Sequence, residues 1–362
     1  MTEPFFLVGQ CEALIDLIAQ KGLIQAALEH EAEHAAMRAT NFGTLIFDLA
    51  VFGLVMVAFY QLSRIKDKLW QRAAIMAGGV LIFEIFTAPL WVNDNLGRWA
   101  YVYQDVSWIL TIGWTAMILY VIVMVDHWLP DWKAPWRFAT YLGVLLVLVT
   151  IAEMVVVGLG IRKYAPEVIE SVSGINLLGV PIEILFYVPV FTALVIAFYK
   201  YWSFVLDDAV LIPMKRRKWG RGIVLGFIAV FMFELVIEPM VENRKFPAWS
   251  NIYHDVSFIM TGIWVLLIGV AAVVVDRFVI GYPVWLRFLA AVMIIAALVL
   301  PIESWMIING YRVYGESAVA NFTGFTTPIT GVAVEVAFAI PFYLTLIISF
   351  IRYWEIVLDN GL

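Results

Sequence analysis

Residues 174–202 read GINLLGVPIEILFYVPVFTALVIAFYKYW, an apolar run long enough to cross a bilayer that carries a carboxylate, Glu183, just inside its first end. A second version, reached after Gly324, closes the chain as GVAVEVAFAIPFYLTLIISFIRYW, ending at Trp354. Gly179, Glu183, Pro189, Phe198, Tyr201, Trp202 and Asp207 recur 152 positions later as Gly331, Glu335, Pro341, Phe350, Tyr353, Trp354 and Asp359. A fainter version starts at Asn41 and places Thr44 opposite Glu183, with Asp48 about one helical turn deeper. An acid set repeatedly at one depth of an apolar span describes a duplicated membrane protein.

The surrounding chain extends the duplication. At an offset of 150 residues, Glu84, Trp99, Tyr103, Asp105, Thr111, Trp114, Glu153, Gly160, Arg162 and Tyr164 recur as Glu234, Trp249, Tyr253, Asp255, Thr261, Trp264, Glu303, Gly310, Arg312 and Tyr314. The expected fold is an all-α integral membrane protein of about nine transmembrane helices, at 43–63, 71–92, 107–126, 137–158, 179–202, 221–241, 256–276, 284–308 and 328–352. A four-span period keeps the two copies in the same orientation, related by a pseudo-twofold axis along the membrane normal. The units expected are an amphipathic segment 1–40, a first repeat 41–178, a second repeat 179–327, and a closing helix with the C-terminus, 328–362.

Composition agrees with that class. Hydrophobic residues make up 63% of the chain and charged residues 14%, with a mean hydropathy of +0.90, which excludes an ordinary soluble domain. A net charge of -6 and no basic patch interleaved with aromatics argue against a nucleic-acid partner. The single cysteine, Cys11, excludes an internal disulfide and a cysteine zinc cluster. The start, MTEPFF, lacks a basic n-region, so the first span is expected to insert the chain without a cleaved signal peptide. His30-Glu31-Ala32-Glu33-His34 fits H-E-x-x-H, yet no third zinc ligand stands nearby, and an acidic amphipathic helix produces the pattern by itself.

With this topology the acids Asp48, Glu84, Glu153, Glu183, Glu234, Glu238, Glu303 and Glu335, and Asp105 and Asp255 at the span mouths, fall in one half of the bilayer. Lone charged carboxylates in hydrocarbon are costly, so these must face the bundle interior, pair, or hold protons. Three readings follow. The acids can pair with Arg98, Arg162, Arg244 and Arg312 as interhelical glue. Glu234, Glu238, His254 and Asp255 can form an oxygen-rich site for a divalent metal or transported cation. Or a glutamate in an apolar cleft can act as a general acid toward an olefin, with Trp and Tyr faces steadying the cation.

Residues 153–202 resemble the small membrane-bound lycopene cyclases. That family's Pro-x-Glu-Glu motif, followed by aromatics, has its counterpart in Pro181-Ile182-Glu183-Ile184 with Phe186 and Tyr187, and Glu153, Gly160 and Gly174-Ile175 resemble its upstream acid and glycines. Ile184 replaces the second glutamate, and the later copy reads Ala333-Val334-Glu335-Val336 without the proline. The resemblance implies acid-initiated isoprenoid chemistry without a redox cofactor, not lycopene as substrate. It implies Glu183 as proton donor with Glu153 or Glu84 as its partner, and Glu335, Glu303 and Glu234 for the same roles in the second copy. Asp105 and Asp255 are further candidates. Trp99, Tyr103, Trp114, Trp249, Tyr253 and Trp264 are candidate walls, and Arg162 and Arg312 candidate binders of a polar group. A non-enzymatic carrier or accessory subunit binding a cation or lipid remains the other reading.

Most Lys and Arg, including Arg64, Lys66, Lys68, the run Lys215-Arg216-Arg217-Lys218 and Arg352, fall on one side of this topology. The positive-inside rule then puts the C-terminus in the cytoplasm and the N-terminus outside. Green fluorescent protein fused after Leu362 is expected to fluoresce, and alkaline phosphatase fused there to be inactive. The reverse pattern inverts the topology.

Overall fold

The computed structural model describes residues 42–103, 105–177, 179–207 and 218–361, without the side chains of Phe86, Arg98, Tyr103 and Ser171. The motif His30-Glu31-Ala32-Glu33-His34, the amphipathic segment 1–40, and Lys215, Arg216 and Arg217 lie outside the described residues. The chain is mostly helical, at 74%. Its long helices are α1 Phe42–Ser63, α2 Leu69–Thr87, α3 Trp108–Trp128, α4 Ala134–Gly158, α5 Ile182–Leu206, α6 Trp219–Ile237, α7 Phe258–Phe278, α8 Val284–Ile308 and α9 Val334–Asn360. Among the described residues eight helices, all of these but α2, are long and apolar enough to cross a membrane. Hydrocarbon offers no partners to N–H and C=O groups, so apolar runs of this length close their hydrogen bonds internally.

Packing centres on α5 and α9, which share the most extensive helix contact in the chain. α5 also packs on α2, α4 and α6, and α9 on α6, α8 and α2. α1 lies at the margin against α3, burying Thr44, Asp48 and Leu62 while Leu49, Leu54 and Met56 stay uncovered, as a lipid-facing helix requires. α5 and α9 each carry an interior proline, Pro189 and Pro341. Membrane helices tolerate such a break when neighbours surround the freed backbone.

Several helices are shorter than the apolar runs. The spans expected at 71–92 and 221–241 are helical only to Thr87 and Ile237, because Pro89 and Pro239 follow in the one-turn 3-10 segments Ala88–Leu90 and Glu238–Met240. α5 and α9 begin at Ile182 and Val334, later than the expected 179 and 328. Gly179 and Gly331 turn the chain just before them with φ of +89° and +65°, a region that suits glycine.

Between the helices at this end of the bundle lie short strands that hydrophobic periodicity does not announce. β1 (Trp91–Asn93) is antiparallel to β2 (Arg162–Tyr164), and β3 (Val241–Asn243) to β4 (Arg312–Tyr314). The register sets Asn93 against Arg162 and Asn243 against Arg312. Tyr101–Tyr103 pairs with Val106–Ser107, Asn251–Tyr253 with Val256–Ser257, and Asn176–Leu177 with Val180–Pro181.

The opposite end of the bundle is held by ion pairs. Arg72 reaches Asp207 at 2.6 Å, Arg221 reaches Asp359 at 2.6 Å, and Lys200, Arg137 and Tyr141 converge on Asp126, while Arg352 pairs with Glu355 at 2.9 Å within α9. Basic residues that suggest only topology in the sequence therefore also tie helices together.

The close fit of α2 on α5 depends on Gly79. A Cβ there would stand 2.9 Å from Phe198 Cδ1 and 3.5 Å from Val195 Cγ1. Gly79→Val is expected to destabilise the protein by about 1–3 kcal/mol through overpacking, read as a lower midpoint of thermal unfolding in detergent micelles. An unchanged midpoint would show that this contact relaxes freely.

Candidate functional site

Two clusters of Glu, Arg and Tyr form where strands meet helix ends. α4 ends in a glycine-terminated cap, with Gly160 at φ +68° and Ile161 N donating to Val156 O at 2.8 Å. The reversal lays Arg162 and Tyr164 beside the helix they have just left. Arg162 Nη1 donates to Glu153 Oε2 at 3.0 Å, Tyr164 OH to Glu153 Oε1 at 2.8 Å, and Arg162 Nε to Asn93 Oδ1 at 3.0 Å. Gly310, at φ +66°, ends α8 in the same way, with Tyr311 N on Met306 O at 2.8 Å. There Tyr314 OH donates to Glu303 Oε1 at 2.5 Å and Arg312 Nε stands 3.2 Å from the same oxygen. Burial first, and then the neighbouring glutamate, push the Tyr164 and Tyr314 phenols above their ordinary range, so both remain donors.

The clusters differ in how fully they are satisfied. At 3.2 Å the Arg312–Glu303 contact is an ion pair without hydrogen-bond alignment. Arg312 Nε and Nη1 and Asn243 Oδ1 are buried and make no hydrogen bond. Orphaned buried donors are rare in folded proteins, and each calls for an explanation.

The cavities differ as well. Beside Glu303 and Arg312 opens a cavity of about 470 Å³, within the usual range for a small-molecule site. Its walls are largely apolar and include Phe233, Trp264, Phe322, Ala339, Tyr343 and Val241, with Glu335 also on its lining. Phe233 and Tyr343 meet with ring centroids 4.1 Å apart, and the buried Trp264 Nε1 has no hydrogen-bond partner. Beside Glu153 and Arg162 the space is only about 60 Å³. Its lining includes Glu84, Trp91, Trp114, Tyr187 and Phe191, with Phe83 stacked on Phe191 at 3.8 Å and the Arg162 guanidinium 5.0 Å over the Trp91 ring.

The remaining acids are scattered. Glu84 and Glu234 are buried and accept from Thr111 and Thr261, the threonines of α3 and α7 that face them. Glu183 is half-buried, accepts from Ser173 N at 2.8 Å, and is not among the residues lining either cavity. Glu335 accepts from Thr323 N at 2.7 Å and Thr323 Oγ1 at 2.6 Å, leaving its buried Oε2 without a hydrogen bond. Asp105 is buried, and its backbone carbonyl accepts from Asn93 Nδ2 at 2.6 Å. Asp255, whose carboxyl is pushed up by burial and then by Glu242, similarly receives Asn243 Nδ2 on its carbonyl at 3.1 Å.

Among the described residues no group of three or more His, Cys, Asp or Glu comes together as a metal site would need. His254 Nδ1 pairs with Glu238 at 3.2 Å, while Glu234 is engaged by Thr261 instead. Of the expected walls, Trp264 lines the large cavity and Trp114 the small one, Trp99 and Trp249 are exposed, Tyr253 stacks on His254 at 4.2 Å, and the Tyr103 side chain lies outside the description. Arg244 pairs with the exposed Glu242 at 2.6 Å rather than with a buried acid. Phe233, Tyr343, Val241, Ala339 and the two asparagines were not singled out by the sequence. The signal available was the pair of breaks in the repeat, Trp91 against Val241 and Tyr187 against Ala339. The chain matches no protein-family model, no curated protein and no solved structure.

Glu303 and Arg312 are both about 4% exposed, so removing one strands a buried charge. Glu303→Gln is expected to cost about 3–5 kcal/mol, and the double variant Glu303→Gln, Arg312→Met to recover much of that loss, measured by thermal unfolding in detergent. Equal losses in the single and double variants would show that the pair contributes through packing alone.

Proposed function

We propose that this protein is a membrane-embedded, redox-neutral cyclase or isomerase of an apolar isoprenoid-type substrate, working in the cavity beside α9. The observation that carries the reading is the meeting of a large apolar cavity with Glu335, whose buried Oε2 makes no hydrogen bond. Glu303 is engaged by Arg312 and Tyr314 and therefore serves as a fixed acceptor rather than a proton donor. Glu335 has no cation paired with it among the described residues. In this reading the donor role assigned to Glu183 by resemblance passes to its partner 152 residues later.

The chemistry is balanced without a redox partner. The Oε2–H bond of Glu335 breaks as its proton adds to a substrate C=C, leaving a carbocation and a carboxylate. A second C=C attacks the cation to form a C–C bond, or the cation simply relocates. A neighbouring C–H proton then returns to Glu335, giving an isomer of unchanged mass. The faces of Phe233, Trp264 and Tyr343 line the cavity where the cation would be held.

The duplication belongs to the same proposal. The two copies are read as α2–α5 and α6–α9, joined by α5 and α9, with α1 outside them on α3 and the C-terminus in the cytoplasm. This places the acid-bearing ends of α5 and α9 toward the outer leaflet, where a lipid substrate can enter from the bilayer.

The test compares isoprenoid lipids of cells making the wild type, Glu335→Gln and Glu183→Gln at equal membrane levels, by chromatography and mass spectrometry. A product of unchanged mass and new retention is expected with the wild type and Glu183→Gln, and is expected to fall at least about tenfold with Glu335→Gln, within the usual contribution of a general acid. Identical profiles in a host supplied with linear isoprenoids would remove the enzymatic reading.

A further inference from the structure

We infer that ligand binding belongs to only one of the two equivalent sites, the one built around Arg312, and that the ligand is an apolar isoprenoid-like molecule bearing a neutral carbonyl oxygen, held by that arginine. The inference rests on the reading of the large cavity as a substrate site and adds its position and head-group chemistry.

The first argument is space. Phe83 and Phe191 meet much as Phe233 and Tyr343 do, at 3.8 and 4.1 Å, so the aromatic floor is present in both halves. What differs is two side chains. Trp91 and Tyr187 stand in the small cavity where Val241 and Ala339 stand in the large one. Replacing an indole and a phenol by an isopropyl and a methyl group empties the second site, and the first is filled by the protein's own rings.

The second argument is hydrogen bonding. In the filled half Arg162 is used up: Nη1 on Glu153, Nε on Asn93, and its plane 5.0 Å over Trp91. In the open half Arg312 is 4% exposed and lines the cavity, yet Nε and Nη1 make no hydrogen bond, and neither does Asn243 Oδ1. Nε stands 3.2 Å from Glu303 Oε1, so Nη1 is the donor left without an acceptor. Trp264, whose buried Nε1 is a further donor without a hydrogen bond, is among the residues lining the same cavity.

The third argument is charge. Arg312 already faces Glu303 at 3.2 Å, so the cluster is neutral before anything binds, and Glu335 lines the same space. A carboxylate or phosphate would bring an uncompensated negative charge into an apolar chamber beside two glutamates. A carbonyl oxygen accepts from Arg312 without adding charge.

The experiment titrates purified wild type in detergent with three probes of similar length: farnesylacetone, a neutral isoprenoid ketone; farnesene, a hydrocarbon; and farnesoic acid, a carboxylate. Calorimetry is expected to show the ketone binding on the order of tenfold tighter than either other probe, the worth of satisfying a buried donor. Val241→Trp with Ala339→Tyr, which rebuilds the filled state, is expected to abolish ketone binding while keeping the thermal unfolding midpoint. Glu303→Gln with Arg312→Met, which keeps the buried charges balanced, is expected to bring the ketone down to the farnesene level. Equal affinity for the ketone and the hydrocarbon, or tighter binding of the acid, would overturn the head-group assignment while leaving the cavity reading in place. Unchanged ketone binding in the filled variant would overturn the one-sided site. Failure of all three probes to bind, with the filled variant giving the wild-type lipid profile, would overturn the substrate cavity itself.

Discussion

A buried guanidinium facing a buried carboxylate sets much of the geometry at the end of this bundle. Taking either group out of water costs several kcal/mol, so each is tolerable only beside the other. Arg162 and Arg312 lie nine residues after Glu153 and Glu303, and the distance is closed by a glycine that lets the chain reverse at the helix end. Once the arginine is pinned, the strand that carries it is pinned, and with it the partner strand from the end of α2 or α6. Tyr164 and Tyr314 fall two residues further along the same strands and reach the same glutamates. A salt bridge of this kind is weak evidence for stability, but it is strong in fixing register, because every alternative leaves a charge stranded in an apolar setting.

That constraint explains how two similar stretches of sequence come to different ends. Both stretches hold the ion pair, the capping glycine and the aromatic contact beneath, so the framework around each site is alike. Within a fixed framework, side-chain volume decides whether the space is occupied. Trp91 and Tyr187 occupy it in one half; Val241 and Ala339 leave it open in the other. The polar groups follow the same division. Arg162 donates to Glu153 and Asn93, whereas Arg312 Nε and Nη1 and the facing Asn243 Oδ1 make no hydrogen bond.

The helices were legible in the sequence because a bilayer demands long, uniform apolar runs, and the buried acids because hydrocarbon makes them conspicuous. The Glu153–Arg162 and Glu303–Arg312 pairs are among the partners that the sequence offers for the acids. The short strands were not legible, since two or three residues are too few to show a period of two. Nor were the helix ends at Thr87 and Ile237, where an apolar run continues past the proline that stops it. Asn93 and Asn243 recur at the 150-residue offset, but what they contact comes from a strand register that sequence periodicity does not reach.

Glu183 and Glu335 hold the same place in a recurring motif and differ in their surroundings. Both sit in the first turn of their helix, and both accept the backbone N–H of the preceding loop, from Ser173 and Thr323. The two carboxylates therefore share a structural duty, tying the preceding loop to the start of the helix. What separates them is the wall each stands against. Only Glu335 borders the large cavity, and it does so because Ala339, one turn further along α9, is small where Tyr187 on α5 is large. A carboxylate that ties a loop to a helix start thus borders open space in one half, beside the small side chain four residues along.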